Sequence, residues 1–188
     1  MSGYRRASVP GGTFFFTLCL ADRGGSLLTD RAGALRAAYV ETARAMPFRT
    51  EAVVVLPDHL HAVWTLPEGD ADFSTRWKRI KRGFTVRVGG EHARSASKKA
   101  RKGEAGLWQR RFWGERLSGI GPGDRSSRER AKRRPEGGCV RDEAELAACL
   151  LYVWCNPVKH GYVARAADWP WSSVHREIRA GRLPPEGP

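Results

Sequence analysis

The residues of this chain that could do chemistry fall in two short constellations, His59-Leu60-His61 and Tyr152 with Asn156. In an extended strand side chains alternate, so both imidazoles leave one face while Leu60, Ala62 and Trp64 leave the other. A helix would point them roughly 200° apart. Two imidazoles on one face can hold a divalent metal, with an oxygen or amide donor and a substrate oxygen completing the shell. Two hydrogen-bonded histidines at a strand start explain the same spacing, and HxH alone does not separate the readings. Asp58 fits either a partner behind His59 or an ordinary turn after Pro57. Tyr152 and Asn156 are four apart, which stacks a phenol and an amide on one helix face. Asn156 is the only asparagine in the chain, and its amide oxygen would serve as a third donor. Taken singly, the two residues read as a core aromatic and a helix C-cap before Pro157.

Charge points to the partner. The chain has 33 Lys+Arg against 20 Asp+Glu, net +13, yet Arg76 to Arg134 alone holds 20 against 5. The whole excess therefore lies in one stretch, and the rest is slightly acidic. Trp77, Phe84, Trp108, Phe112 and Trp113 are interleaved with those cations. Phosphate neutralisation beside base-stacking rings suits nucleic acid better than a solvated loop.

The elements that must position these residues can be read in order. Thr13 to Leu20 is a strand rich in aromatics and Thr, and Asp30 can cap a helix running to about Ala45. Ala52–Leu56 and His59–Leu66 form a hairpin about Pro57-Asp58. Phe73 to about Val88 is a basic amphipathic helix with Phe73, Trp77, Ile80 and Phe84 on one side. Leu107 to Trp113 could be a short strand. Stretches at about 89–106 and 114–139 are basic and aperiodic, and read as flexible loops. Asp142 with Glu145 is a capping box opening a helix whose stripe is Leu146, Cys149, Leu150 and Val153, with Pro157 limiting its end. This order gives one α+β domain over 1–188, with a ferredoxin-like or RNA-recognition-like antiparallel sheet. The base-stacking motif of RNA-recognition domains is absent, so that likeness is one of shape.

At 188 residues and 41% hydrophobic the chain can bury a core without disulfides, and no apolar run reaches membrane-span length. No signal peptide is read at the start. Cys19, Cys139, Cys149 and Cys155 form no CxxC pair, so a reducing cytoplasm is expected.

Longer motifs carry a resemblance. Tyr4-Arg5-Arg6, Gly11-Gly12-Thr13-Phe14-Phe15-Phe16-Thr17, Val54-Val55-Leu56-Pro57-Asp58-His59-Leu60-His61, Phe73-Ser74-Thr75-Arg76-Trp77, Trp108-Gln109-Arg110-Arg111-Phe112-Trp113, Tyr152-Val153-Trp154-Cys155-Asn156-Pro157-Val158-Lys159-His160-Gly161 and Asp168-Trp169-Pro170-Trp171-Ser172-Ser173 resemble, in this order, the REP-associated tyrosine transposases of the HUH single-tyrosine superfamily. The likeness spans nearly the whole chain apart from about 89–106 and 114–139. It implies an HUH endonuclease fold and a single-strand DNA endonuclease and strand transferase, dependent on Mg²⁺ or Mn²⁺. It places His59, His61 and Asn156 at the metal and Tyr152 as the nucleophile forming a 5′-phosphotyrosine. The implied partner is single-stranded DNA folded as a palindromic hairpin, met by a monomer or homodimer, with no membrane. Arg76, Lys78, Arg79, Lys81, Arg82, Arg110 and Arg111 would contact phosphates, and Trp77 and Trp108 are candidates to stack bases, although a core role is the safer reading of both tryptophans.

One stretch departs from the pattern. After Arg111-Phe112-Trp113 the family continues through a short strand holding Glu-His, whereas here Gly114-Glu115-Arg116 leads into a Gly/Arg-rich segment and that His is missing. The alternative reading is therefore a non-catalytic hairpin-binding protein of the same descent. A zinc hydrolase built on His59 and His61 fits less well, since no Glu lies beside the pair as a base.

Overall fold

The structure, a computed structural model, describes residues 9–89, 106–109, 138–140 and 142–188. Four strands, β1 (Thr13–Cys19), β2 (Arg49–Val55), β3 (His59–Thr65) and β4 (Gly138–Val140), form one antiparallel sheet in the order β2-β3-β1-β4. Two helices, α1 (Leu27–Asp30) and α2 (Ala32–Ala45), carry the chain from β1 to β2, while α3 (Phe73–Val88) lies between β3 and β4. After β4 come α4 (Glu143–Lys159), a 3₁₀ turn at Ala166–Asp168, and α5 (Val174–Arg179). The expected ferredoxin-like α+β sheet is present, with β3 antiparallel to both of its neighbours.

Period two divides the core. Phe14, Phe16 and Leu18 of β1 and Leu60, Ala62 and Trp64 of β3 pack with Leu35 and Ala38 of α2 and with Phe73, Trp77, Ile80 and Phe84 of α3. Phe15, Ala52, Val54 and Val63 face the other way, against Cys149, Val153 and Trp154 of α4 and Val174 of α5. The molecule is thus three layers, with the basic helix on one side of the sheet and α4 on the other. Every residue from His59 to Trp64 is buried, because both faces of β3 are covered. Each fully buried Leu or Phe contributes roughly 1.5–3 kcal/mol by leaving water.

Several boundaries differ from the sequence expectation. β2 starts at Arg49 rather than Ala52 and carries an irregularity between Thr50 and Ala52. Asp30 does not cap α2: its carboxylate accepts from Ser26 Oγ at 2.6 Å, and it ends the short turn that buries Leu28. Asp142 does cap α4, accepting from the Glu145 N–H at 2.8 Å. Pro157 lies inside α4 instead of limiting it. Proline only biases its predecessor away from the helix, and here the last turn closes with His160 N–H on the Asn156 carbonyl and Tyr162 N–H on that of Pro157. The end of the supposed 114–139 loop is strand, since Gly138 to Val140 pair with Phe15 to Thr13. Of Leu107 to Trp113, Trp108 forms an isolated bridge to Leu20, and 110–113 lie outside the described residues. So do 90–105 and 110–137, the bulk of both expected loops. Among the described residues no helix is long and apolar enough to cross a membrane.

Candidate active site

The face of β3 turned toward α4 carries His59 and His61, each 4% exposed, with ring centroids 5.1 Å apart. Both rings are held through Nδ1. His59 Nδ1 donates to Asp58 Oδ1 at 2.5 Å, and an ionised carboxylate only accepts, so the second nitrogen, Nε2, keeps its lone pair. His61 Nδ1 lies 2.8 Å from Oγ1 of Thr17, its direct partner across the β1–β3 ladder. With the proton on Nδ1, the His61 ring likewise offers Nε2. Burial pushes both imidazoles toward the neutral form that binds metals, holding His61 well below the usual histidine range and His59 below it against the opposing pull of Asp58. Burial alone would raise the Asp58 carboxyl, yet hydrogen bonds from His59 and from Arg23 Nε at 2.9 Å hold it lowered.

Tyr152, on the facing side of α4, meets His61 edge-on. Its ring lies 5.2 Å from that of His61 and 5.7 Å from Phe15, and Lys159 Nζ sits 4.9 Å from its centroid. One turn on, Asn156 is completely buried, and neither amide atom has a hydrogen-bond partner among the described residues. An unsatisfied buried amide costs about 1–3 kcal/mol, so an amide kept there calls for an explanation. Two neutral imidazoles and an orphaned amide suit a divalent cation that accepts nitrogen and oxygen donors. Among the described residues no cluster of three His, Cys, Asp or Glu side chains offers a metal site by itself.

The same neighbourhood contains groups the sequence reading did not pick out. His160 packs on His59 at 5.3 Å, and Thr17 and Arg23 brace the pair as described. Thr17 shares the β1 face of Phe15 by period two, and His160 is four residues beyond Asn156, but neither signal points to a site without the strand register.

The residues expected on DNA divide four ways. Arg76 and Trp77 are buried, and a phosphate role for Arg76 does not fit: its guanidinium donates to the carbonyls of Met46, Pro47 and Asp72 and pairs with Asp70 at 2.6 Å. Trp77 is 1% exposed and stacks on Trp64 at 3.9 Å, so it cannot receive a base. Lys78, Arg79 and Arg82 are exposed on α3. Lys81 donates to the Gln109 carbonyl and lies 5.7 Å from the half-buried Trp108 ring, which meets Phe84 edge-on. Arg110 and Arg111 lie outside the described residues.

No family model matches the chain. A REP-associated tyrosine transposase assigned in Haemophilus influenzae is 39% identical over 184 residues, covering 98% of this chain and 92% of the relative. The REP-associated tyrosine transposase of Escherichia coli K12 is also 39% identical, with 98% and 89% covered. A solved structure of a REP-associated tyrosine transposase bound to a REP hairpin superposes with a TM-score of 0.77 at 36% identity, covering all of this chain and 92% of the other. Identity at this level across nearly the full length of both curated relatives places the chain in the family of REP-associated tyrosine transposases.

Proposed function

We propose that the chain, acting as one domain over 1–188, is a metal-dependent single-strand DNA endonuclease and strand transferase that works on hairpin DNA through Tyr152. The observation that carries this is the meeting of the Tyr152 ring with His61 on a sheet face where both histidines are fixed through Nδ1. His59, His61 and the Asn156 amide would hold Mg²⁺ or Mn²⁺. When bound, such a cation draws charge from a phosphate oxygen. The Tyr152 phenolic oxygen attacks phosphorus, a P–O bond to tyrosine forms, and the P–O3′ bond breaks. The phenolic proton is lost and the departing oxygen gains one, which leaves a 3′-hydroxyl and a 5′-phosphotyrosine. One ester replaces another, so the step reverses readily and the strand can be rejoined. Lys159 beside the Tyr152 ring favours the approach of a polyanion.

The test is trapping. The wild type should form a denaturation-resistant adduct with single-stranded hairpins from its own genome, and Tyr152→Phe should form none while binding the same DNA. An adduct formed by the variant at the wild-type rate would refute the assignment.

A further inference from the structure

A line of aromatic rings leads away from the histidine pair. His160 lies 5.3 Å from His59, Tyr162 stacks beside His160 at 5.8 Å and 18°, Trp169 beside Tyr162 at 5.3 Å and 23°, and Trp171 meets Trp169 at 5.0 Å. The members do different work. Trp169 is 8% exposed and its indole donates to the Val55 carbonyl, which makes it part of the wall. Trp171 is 37% exposed, although its backbone is pinned: its carbonyl accepts from Val55 N–H, and Ser172 bridges Val54. Among the described residues Trp169 is the one aromatic ring it meets, and more than a third of the residue stays open to solvent. Tyr162 is 44% exposed and is aimed by the helix end, where Gly161 at φ 73° turns the chain and the Tyr162 N–H returns to the Pro157 carbonyl. Scattered exposed aromatics need no explanation, but these are contiguous with one another and with the paired histidines. Cations accompany them: Lys159 lies at the same helix end, and Arg23 is paired with Asp58, the residue that holds His59.

We infer that this track is a base-stacking subsite for the unpaired nucleotides next to the phosphate that Tyr152 attacks. Every base has a π face, so rings held at the mouth of a phosphate-binding centre grip an unpaired strand with little regard for sequence. Trp171 offers the outer platform, His160 and Tyr162 the edge along which the strand enters, and Arg23 and Lys159 meet its phosphates. A paired base has its faces covered by its neighbours, so the subsite selects the unpaired part of a hairpin substrate. The inference rests on the proposed function, and its test separates the two.

Two labelled probes are compared by fluorescence anisotropy with the full chain: a blunt hairpin, and the same hairpin with a tail of about eight thymidines, within the span an unpaired-strand site covers. The wild type should bind the tailed probe more tightly. Trp171→Ala should weaken tailed binding by roughly five- to tenfold, near the lower end for loss of one stacked base, and leave blunt binding unchanged. Trp171→Phe, which keeps a ring, should retain most of the advantage. As a readout that needs no variant, bromodeoxyuridine in the tail should photocrosslink wild-type protein at Trp171 or Tyr162. Equal tailed binding by Trp171→Ala and wild type, or crosslinks confined to other peptides, would overturn the subsite while the nuclease reading stood. Failure of the wild type to bind either probe would overturn both.

Discussion

Arg76 offers the sharpest test of what the charged helix does. Methionine at this position keeps an unbranched apolar stem of similar length and removes only the guanidinium. The carbonyls of Met46, Pro47 and Asp72 then lose a charged donor, and Asp70 loses the partner that, first among several causes, holds its carboxyl low. Removing one member of a buried pair costs about 3–5 kcal/mol. Asp70 is 32% exposed at its side chain, so water recovers part of the loss and the low end, about 3 kcal/mol, is expected. For a chain of this size that corresponds to a fall in Tm of roughly 6–12 °C. Thermal unfolding monitored by circular dichroism measures it, and hairpin affinity measured well below Tm should be unchanged. In contrast, replacing Lys78, Arg79 and Arg82 together by Ala should leave Tm nearly constant and lower the salt slope of binding by up to about 0.9 for each phosphate no longer neutralised. An unshifted Tm for Arg76→Met together with a tenfold loss of DNA affinity would show that Arg76 leaves the core to reach phosphate, and would refute the reasoning.

The site yields two further expectations and the far end of the chain a third. Asn156→Leu should be as stable as the wild type in chelator, or more stable by up to about 1–3 kcal/mol, since it removes an unsatisfied amide, while losing any rise in Tm that Mn²⁺ produces. A variant less stable in chelator would mean that the amide has a partner in the protein. Asp58→Asn should raise the Mn²⁺ concentration needed for adduct formation by roughly 10–100-fold, because the His59 ring loses its ionised acceptor; an unchanged requirement would remove Asp58 from the site. Glu177 is held low by Arg182 first and then Arg176, so its stabilisation is complete above the ordinary glutamate range and is lost as pH falls through the depressed value. The wild type should therefore lose Tm more steeply than Glu177→Gln between about pH 5 and about pH 3, and parallel profiles would show that the pair contributes nothing.

What could be read in advance was what is local. The apolar spacing of Phe73, Trp77, Ile80 and Phe84 marks α3 and its buried side, and the alternation in His59-Leu60-His61 gives the shared face of the imidazoles. Arg76 could not be read: a charge flanked by charges looks like surface, and the carbonyls that consume it belong to Met46 and Pro47, about thirty positions away. Thr17 became a site residue only through the β1–β3 register, which no single strand encodes. At three residues β4 is too short to show a period, and its composition, Gly-Cys-Val after a Gly-rich run, resembles the loop that precedes it. Asp30 misled because an Asp before an apolar run signals a cap only when no nearer donor, here Ser26, takes its carboxylate.

The sheet separates the exposed cations of α3 from the facing histidines and Tyr152 by its full thickness. On the proposed reading, that geometry gives the two properties independent evolutionary fates. A host lineage that gains from marking its palindromic repeats but not from moving them can erode the α4 face one residue at a time, while the opposite layer stays under selection as a DNA clamp. A lineage that retains mobility must hold both faces at once. Among descendants of this fold, substitutions at positions 59, 61, 152 and 156 should therefore accumulate within the same lineages, one after another, uncoupled from the tally of positive charge along α3.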